Sequence, residues 1–205
     1  YIYGDTPTAA DFLIWNFSWI DGDADGLFSS DYLSGGNAHA AIDEIIHGWT
    51  GDDYINGFEG NDSLYGGTEN DQLFGGNGND LLNGDSGSND LRGEEGDDRL
   101  VSDIGADLMF GGNGSDTLIA DGNDTLDGGI GNDMYFVSEG VLINEQFDAG
   151  FDNVVVQQDW TLVANLEGLM LQGNAVSGTG NDLHNNIIGN SNDNLLSGRD
   201  GNDTL

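Results

Sequence analysis

Residues 48–83 read GWTGDDYIN, GFEGNDSLY, GGTENDQLF and GGNGNDLLN, four units of nine residues with one shared pattern. The pattern is Gly-Gly-x-Gly-x-Asp-x-U-x, in which U is a large apolar residue. It continues through GDSGSNDLR, GEEGDDRLV, SDIGADLMF and GGNGSDTLI, then an eight-residue unit, ADGNDTLD, and finally GGIGNDMYF, ending at Phe136. Position four is Gly in nine of the ten units, position six is Asp in nine, and position eight is apolar in all ten. A period held in phase over residues 48–136 predicts a repeat architecture.

Each position of the unit has a physical reason. Glycine reaches positive φ without steric cost, so the first four positions predict a tight loop. Position eight is a single inward apolar residue on a strand of about three residues, which buries too little surface to be stable alone. Stacking such units forms a continuous core, and two units would complete one turn of a solenoid with two facing parallel sheets. Ten units would give roughly five turns and a length of about 24 Å.

The position-six aspartates form two columns in this geometry, because units two places apart lie directly above one another. One edge is expected to carry Asp53, Asp71 and Asp107, and the other Asp62, Asp80, Asp98 and Asp116. Carboxylates stacked at about 5 Å repel each other unless a cation lies between them. Hard oxygen ligands in a flexible loop favour Ca²⁺, whereas Mg²⁺ wants a tighter octahedron and Zn²⁺ wants His or Cys. The pattern therefore predicts calcium.

These units resemble the glycine-rich nonapeptide repeats of RTX proteins, a pattern associated with calcium binding. The resemblance covers residues 48–136 (the first block) and resumes at Asn181–Leu205, where Asn194 and Asp203 occupy position six. It implies an all-β, right-handed parallel β-roll, secretion by the one-step type I pathway, and roughly eight or more Ca²⁺ ions bridging adjacent turns. By the same resemblance the side-chain ligands are Asp53, Asp62, Asp71, Asp80, Asp98, Asp107, Asp116, Asp124, Asp133 and Asp203.

Four local departures from the pattern are expected to weaken or empty the sites that they touch. Glu69 replaces the loop glycine at position four, and Asn89 and Asn194 lack the charge at position six. The short unit that begins at Ala120 is expected to shift the register.

Residues 137–172 break the nine-residue phase. The pieces VLINE, DNVVV, DWTLV and GLMLQ predict longer strands, which we interpret as a continuation of the solenoid with wider turns. Asp152, in a stretch that still resembles the loop-to-strand pattern, is either a further ligand or an ordinary loop residue. Residues 173–205 are expected to form a second, truncated block of repeats.

Residues 1–47 predict an N-terminal β cap, because an open solenoid end needs a cover. Within Asp11–Ile20, apolar and polar residues alternate with the period of a strand, the apolar ones being Leu13, Trp15, Phe17 and Trp19. Core packing of a cap is favoured over an aromatic face for a carbohydrate or a partner.

The stretch from Asp21 to Gly26 resembles the first half of an EF-hand or dockerin calcium loop, with Asp21, Asp23 and Asp25 as candidate ligands. The twelfth position is Tyr32 rather than a bidentate acid, and no flanking pair of helices is evident. We expect an ion here without a full EF-hand fold, and a plain acidic turn is the alternative.

The charge balance excludes several functions. The chain has 38 Asp and Glu against 3 Lys and Arg, a net charge of −35. Binding to nucleic acid or to an anionic membrane needs a cationic surface, so neither is expected. No apolar run is long enough for a transmembrane segment, no cationic leader is present and cysteine is absent. Adaptation to salt is a weaker alternative, because it predicts scattered acids instead of phased ones.

The sequence predicts no enzyme. The three histidines, His39, His47 and His184, form no metal-protease motif, and neither a nucleophile elbow nor a P-loop is present.

Two functions stay open. The first is a structural, adhesive or assembly segment of a secreted or cell-surface protein, with self-association into a filament or surface layer. The second is the C-terminal secretion and folding module of a type I-secreted hydrolase or toxin. The chain begins without Met and stops within a unit, so we expect it to be part of a longer protein. We also expect it to be disordered in a calcium-poor cytosol and folded outside.

Overall fold

The fold consists of short β-strands wound into a solenoid. A computed structural model describes residues 19–21, 31–35, 42–147 and 149–205, and within these residues it contains no helix, hence none that could cross a membrane. The strands are β1 Trp19–Asp21, β2 Tyr32–Ser34, β3 Ile45–Thr50, β4 Tyr54–Glu59, β5 Ser63–Thr68, β6 Gln72–Asn77, β7 Leu81–Ser86, β8 Asp90–Glu95, β9 Arg99–Val101, β10 Leu108–Asn113, β11 Thr117–Ala120, β12 Thr125–Ile130, β13 Met134–Val137, β14 Leu142–Ile143, β15 Asn153–Val156, β16 Trp160–Thr161, β17 Gly168–Leu171, β18 Ser177–Thr179, β19 Asn186–Ile188 and β20 Leu195–Ser197.

Successive strands alternate between facing parallel sheets. The odd-numbered strands from β1 to β19 form one ten-stranded sheet, and the even-numbered strands from β2 to β14 form a seven-stranded sheet. Strands β16, β18 and β20 form a third sheet. Within the first block the pairing joins equivalent positions of units two places apart, as Leu64 beside Leu82. The structure is a β-solenoid of about 9 turns, which confirms the predicted fold class.

The core is a narrow column of position-eight side chains. Leu64, Leu73, Leu82, Leu91 and Leu100 are all 0% exposed, as are the other position-eight residues of the first block. Because each unit supplies one such side chain, both sheets contribute alternately to the same column. Full burial of one leucine stabilises a fold by about 1.5–3 kcal/mol, so the core depends on every unit in turn.

The loops between strands require glycine where neighbouring turns of the solenoid are in contact. Gly76 has a φ of 113°, in the left-handed half of conformational space. A Cβ at this residue would lie within 3.0 Å of the backbone of Phe58 in the turn before. Glycine therefore allows both the sharp bend and the close stacking of turns.

The ten-stranded sheet continues through residues 137–172. Tyr135 pairs with Val154, and Val154 in turn pairs with Leu169. The first of these turns is longer than the repeat of the first block and the second is shorter, and β14 to β17, with two or four residues each, are not the longer strands that the sequence predicted. The shorter turn still fits the stack because its strands keep their inward valine and leucine side chains buried.

The solenoid begins before residue 48. Strand β1 pairs in parallel with β3, and β2 pairs in parallel with β4, so both sheets extend into the segment expected to be a cap. Most of the predicted aromatic strand over Asp11–Ile20 lies outside the described residues.

Candidate metal centres

The position-six aspartates line both edges of the coil and are buried there. In the first block they are between 0% and 3% exposed. Their backbone N–H groups and side chains form a ladder along each edge: the N–H of Asp62 donates to Oδ1 of Asp80 (2.7 Å), and the N–H of Asp80 donates to Oδ1 of Asp98 (2.8 Å). The ladder fixes each carboxylate to the turn before it, so one oxygen of each of these carboxylates has a protein partner.

In seven of these aspartates the second carboxylate oxygen has no hydrogen-bond partner in the described chain. Oδ2 is buried without a hydrogen-bond donor in Asp62, Asp71, Asp80, Asp98, Asp107, Asp116 and Asp133. An ionised oxygen held away from water without a partner costs several kcal/mol. A cation beside these oxygens would remove that cost.

In the units that begin with glycine, the unpartnered oxygen points at that glycine. A Cβ on Gly57 would lie within 3.0 Å of both Asp62 Oδ2 and the carbonyl oxygen of Gly75, which belongs to the following turn. The same pairing of a carboxylate with a carbonyl from the following turn recurs at Gly75, Gly93 and Gly111. Hard oxygen donors from two turns thus converge, and such a donor set suits Ca²⁺.

Burial shifts the titration of these carboxylates. Desolvation raises the pKa of Asp71, Asp98 and Asp133 to about 7, although the backbone hydrogen bond to Oδ1 lowers it in part. Desolvation likewise raises the pKa to about 6 for Asp80, Asp107 and Asp116. Each site therefore disfavours its own negative charge, which a bound cation would stabilise.

Asn89 shows which hydrogen bonds form when position six has no carboxylate. Its Oδ1 accepts from the N–H of Asp71 (2.9 Å), as an aspartate would. Its Nδ2 takes the place of the second oxygen and donates to the carbonyl of Gly84 (3.1 Å). Both the oxygen and the nitrogen of the Asn89 amide therefore have hydrogen-bond partners within the protein.

In the short unit, the carboxylate of Asp124 has different hydrogen-bond partners. Its Oδ2 accepts hydrogen bonds from Ser102 Oγ (2.8 Å) and from the N–H of Asp121 (3.1 Å). Asp124 is thus buried on the same edge as Asp107 but has partners for both oxygens, because its Oδ1 accepts from the N–H of Asp107 (2.9 Å). The argument from an unpartnered oxygen does not extend to it.

The remaining candidate ligands differ in how they are placed. Asp53 accepts from the N–H of Asp31 (2.7 Å) through Oδ1. Asp203 is half-buried and accepts from the N–H of Asn185 (2.9 Å). Asp23 and Asp25 lie outside the described residues, and Asp21 is the last residue of β1, where it pairs with His47 of β3.

Position five, written as x in the pattern, also carries a ladder. Oδ1 of Asn61 accepts from the N–H of Asn79 (2.9 Å), and Oδ1 of Asn79 accepts from the N–H of Asp97 (3.0 Å). These exposed bonds tie each loop to the next. The recurrence of Asp and Asn at position five is the sequence signal that could have revealed them.

The described histidines have structural surroundings. The ring of His47 stacks on Tyr65, with centroids 4.5 Å apart, and lies beside Trp49. Nδ1 of His184 accepts from the N–H of Asn202 (2.7 Å). His39 lies outside the described residues.

Comparison with known proteins gives a family match. The family model for the RTX calcium-binding nonapeptide repeat matches residues 43–73, 56–91, 83–118, 103–135, 120–140 and 179–205, which together cover more than half of the chain. No curated protein and no solved structure gives a significant match.

Proposed function

Since this chain belongs to the RTX calcium-binding nonapeptide repeat family, we propose that its buried position-six carboxylates bind Ca²⁺ between turns and that ion binding folds the coil. The chain is a calcium-binding repeat protein. Roughly eight bridging ions would neutralise about sixteen of its 35 net negative charges, which otherwise oppose a compact state.

One observation carries this proposal. Along both edges, a buried carboxylate oxygen without a donor lies beside a backbone carbonyl of the following turn, as at Asp62 and Gly75. Two acceptors facing each other repel, and a cation between them turns the contact into an attraction. The family match supports Ca²⁺ as that group.

The biological role that fits this arrangement is structural. We assign the chain to a secreted or cell-surface protein that is exported by the type I pathway. It would stay unfolded where calcium is scarce and become a rigid solenoid outside the cell. Its stacked parallel strands support end-to-end or lateral association into a filament or surface layer. Support comes from the repeat family and from the narrow core, which is one side chain wide and has buried carboxylates along its edges.

The alternative is a secretion and folding module for a hydrolase or toxin. It shares the calcium chemistry and differs in what the coil is attached to. Sedimentation of the calcium-loaded chain separates the two: concentration-dependent growth into large species supports assembly. A coil that stays monomeric at high concentration favours the alternative.

A calcium titration followed by far-UV circular dichroism tests the central proposal. We expect a cooperative transition from a disordered chain to β-structure with Ca²⁺, and none with Mg²⁺ or with NaCl at matched ionic strength. A β spectrum already present in EDTA, or one restored equally by NaCl, would show that the aspartates are not the folding switch.

A pair of variants tests the ligand assignment. Asp98→Asn keeps the acceptor for the Asp80 N–H and places an amide nitrogen where the second oxygen lies, as Asn89 does. We expect fewer bound ions and a higher calcium midpoint. Asp97→Asn removes the same charge from the exposed neighbouring position and should leave both unchanged. Equal effects in the two variants would mean that overall charge, and not position six, controls folding.

A further inference from the structure

The first block ends at a cluster of three acids that the repeat pattern does not contain. Asp133 is the last position-six residue of the block, Asp152 is its partner in the next turn, and Glu145 lies just after β14. One carboxylate oxygen from each of the three lies within 4.8 Å of the other two. Asp133 and Asp152 are each 1% exposed, and Glu145 is half-buried.

An unpartnered oxygen points into this cluster. Oδ2 of Asp133 is buried and has no donor in the described chain. A Cβ on Gly128 would lie within 3.0 Å of both Asp133 Oδ2 and the hydroxyl oxygen of Tyr135. That hydroxyl donates a hydrogen bond to Oε2 of Glu145. Asp133 Oδ2 therefore faces the same space as the Glu145 carboxylate.

The donor set differs from that of the repeat sites. Beside Gly111, the atoms that a Cβ would meet are Asp116 Oδ2 and the carbonyl oxygen of Gly128 in the following turn. Beside Gly128, the Tyr135 hydroxyl lies where that carbonyl would be, because the chain after Val137 leaves the repeat. Glu145, held by this hydroxyl, supplies a carboxylate in place of the carbonyl.

Several hydrogen bonds hold the cluster in shape. The N–H of Asp133 donates to Oδ1 of Asp152 (2.8 Å), continuing the edge ladder. The fully buried Tyr135 accepts from the N–H of Gly128 (2.7 Å), so its proton is directed at Glu145. Nδ2 of Asn165 donates to the backbone carbonyl of Glu145 (2.8 Å), which anchors the segment that carries it.

The charges of the cluster are not balanced by the protein. The ion pair that the described part of the chain shows joins Arg92 to Asp90, in a different turn. Three carboxylates at this separation repel strongly in a partly dry site. Their all-oxygen chemistry suits Ca²⁺ and not Zn²⁺, which prefers nitrogen or sulfur.

We propose that Asp133, Glu145 and Asp152 form a calcium site distinct from the repeat sites, one that closes the first block and holds the segment after β14 against the coil. The site takes three carboxylates, with Tyr135 as a positioning residue for Glu145. The inference rests on the proposed function, since Asp133 also ends the column of repeat sites.

Calorimetric titration of the whole chain with CaCl₂ tests this site, with Glu145→Gln as the variant and Glu139→Gln as its control. Glu139 is exposed and carries the same charge a few residues away. We expect Glu145→Gln to bind one ion fewer than the unmodified chain, with the calcium-induced β spectrum preserved, and Glu139→Gln to bind the full number.

A third variant separates ligation from packing. Tyr135→Phe keeps the buried ring and all three carboxylates but removes the hydroxyl, and should weaken one site by about 10–100-fold without removing it, as loss of an orienting group does. An unchanged ion count and affinity in Glu145→Gln would overturn this site while leaving the repeat sites intact. If the unmodified chain itself binds no calcium, the proposed function fails as well.

Discussion

The first block and the second block, residues 173–205, follow one winding pattern but differ at position six, where the second block has two asparagines, Asn185 and Asn194, beside one aspartate, Asp203. In the first block the second oxygen of Asp80 or Asp98 has no donor in the described chain. In the second block Asn185 accepts from the N–H of Asn181 (2.8 Å) and donates to the carbonyl of Leu166 (3.2 Å). Asn194 likewise accepts from Asn190 (2.8 Å) and donates to Ala175 (3.3 Å).

This contrast between the blocks shows what the ion replaces. A side-chain amide carries both a donor and an acceptor, so it can pair with the backbone on both sides. An ionised carboxylate is an acceptor only and here faces further acceptors, which is why we propose a cation beside it. Asn89 has such an amide inside the first block, which indicates that the side chain at position six, and not the backbone, decides whether an unpartnered acceptor remains.

Calcium removal should separate the two blocks most visibly. In EDTA we expect the amides of the first block to lose protection from hydrogen exchange, while those of residues 180–197 keep more of theirs. Each site occupied at a hundredfold excess over its Kd contributes about 2.7 kcal/mol, so losing several sites together exceeds the stability of an ordinary domain. Hydrogen exchange read by mass spectrometry measures this, and equal loss in both blocks would contradict the distinction.

A charge in the core should affect the coil whatever the loops bind. Leu82 is fully buried in the position-eight column, so Leu82→Asp should cost about 4 kcal/mol or more through the lost packing and the buried carboxylate. Urea unfolding in saturating Ca²⁺ measures the loss. Leu108→Asp is the control, because Leu108 is 43% exposed and its replacement should cost far less. A mild effect at Leu82 would mean that the ions alone hold the turn.

Acid should have the smallest effect, and its sign depends on calcium. Desolvation raises the pKa of Asp71 and Asp98 from 3.8 to about 7, so the ion-free folded state binds more protons than the unfolded chain between these values. Its stability therefore rises as the pH falls from 7 towards 4 and is lost again as the pH rises. With Ca²⁺ present, protons compete with the ion, and affinity should fall as the pH drops below about 7.

Circular dichroism at several pH values, in EDTA and in CaCl₂, checks both directions. The amides of Asn185 and Asn194 do not titrate, so these two positions of the second block should contribute nothing to this response. An ion-free first block that gains no β-structure on acidification would mean that the buried carboxylates do not limit its folding.

Much of the fold could be predicted from the repeat. The apolar residue at position eight predicts the buried column, and the pairing of Leu64 with Leu82 confirms that two units complete a turn. The placement of position six on both edges follows from the same register. Residues 137–172 have no such register, and the succession of a longer and a shorter turn could not be derived from their composition.

The hydrogen-bond partners of individual carboxylate oxygens could not be predicted from the repeat pattern. Asp124 lies in the eight-residue unit, so a weaker site was expected there, but the repeat did not reveal that Ser102, from the turn before, takes one of its oxygens. Glu145 belongs to no motif, and it meets Asp133 only because the chain turns back after β14.

The period, the inward residues and the two columns of acids can all be read from the amino-acid order, because in a solenoid a constant sequence separation becomes a constant neighbour in space. Which carboxylates keep an unpartnered oxygen is set at the tertiary level, because that depends on donors supplied by other parts of the coil. Asp98 Oδ2 lacks such a donor, whereas Asp124 and Asn185 are satisfied within the protein. The positions at which we propose an ion follow from that difference.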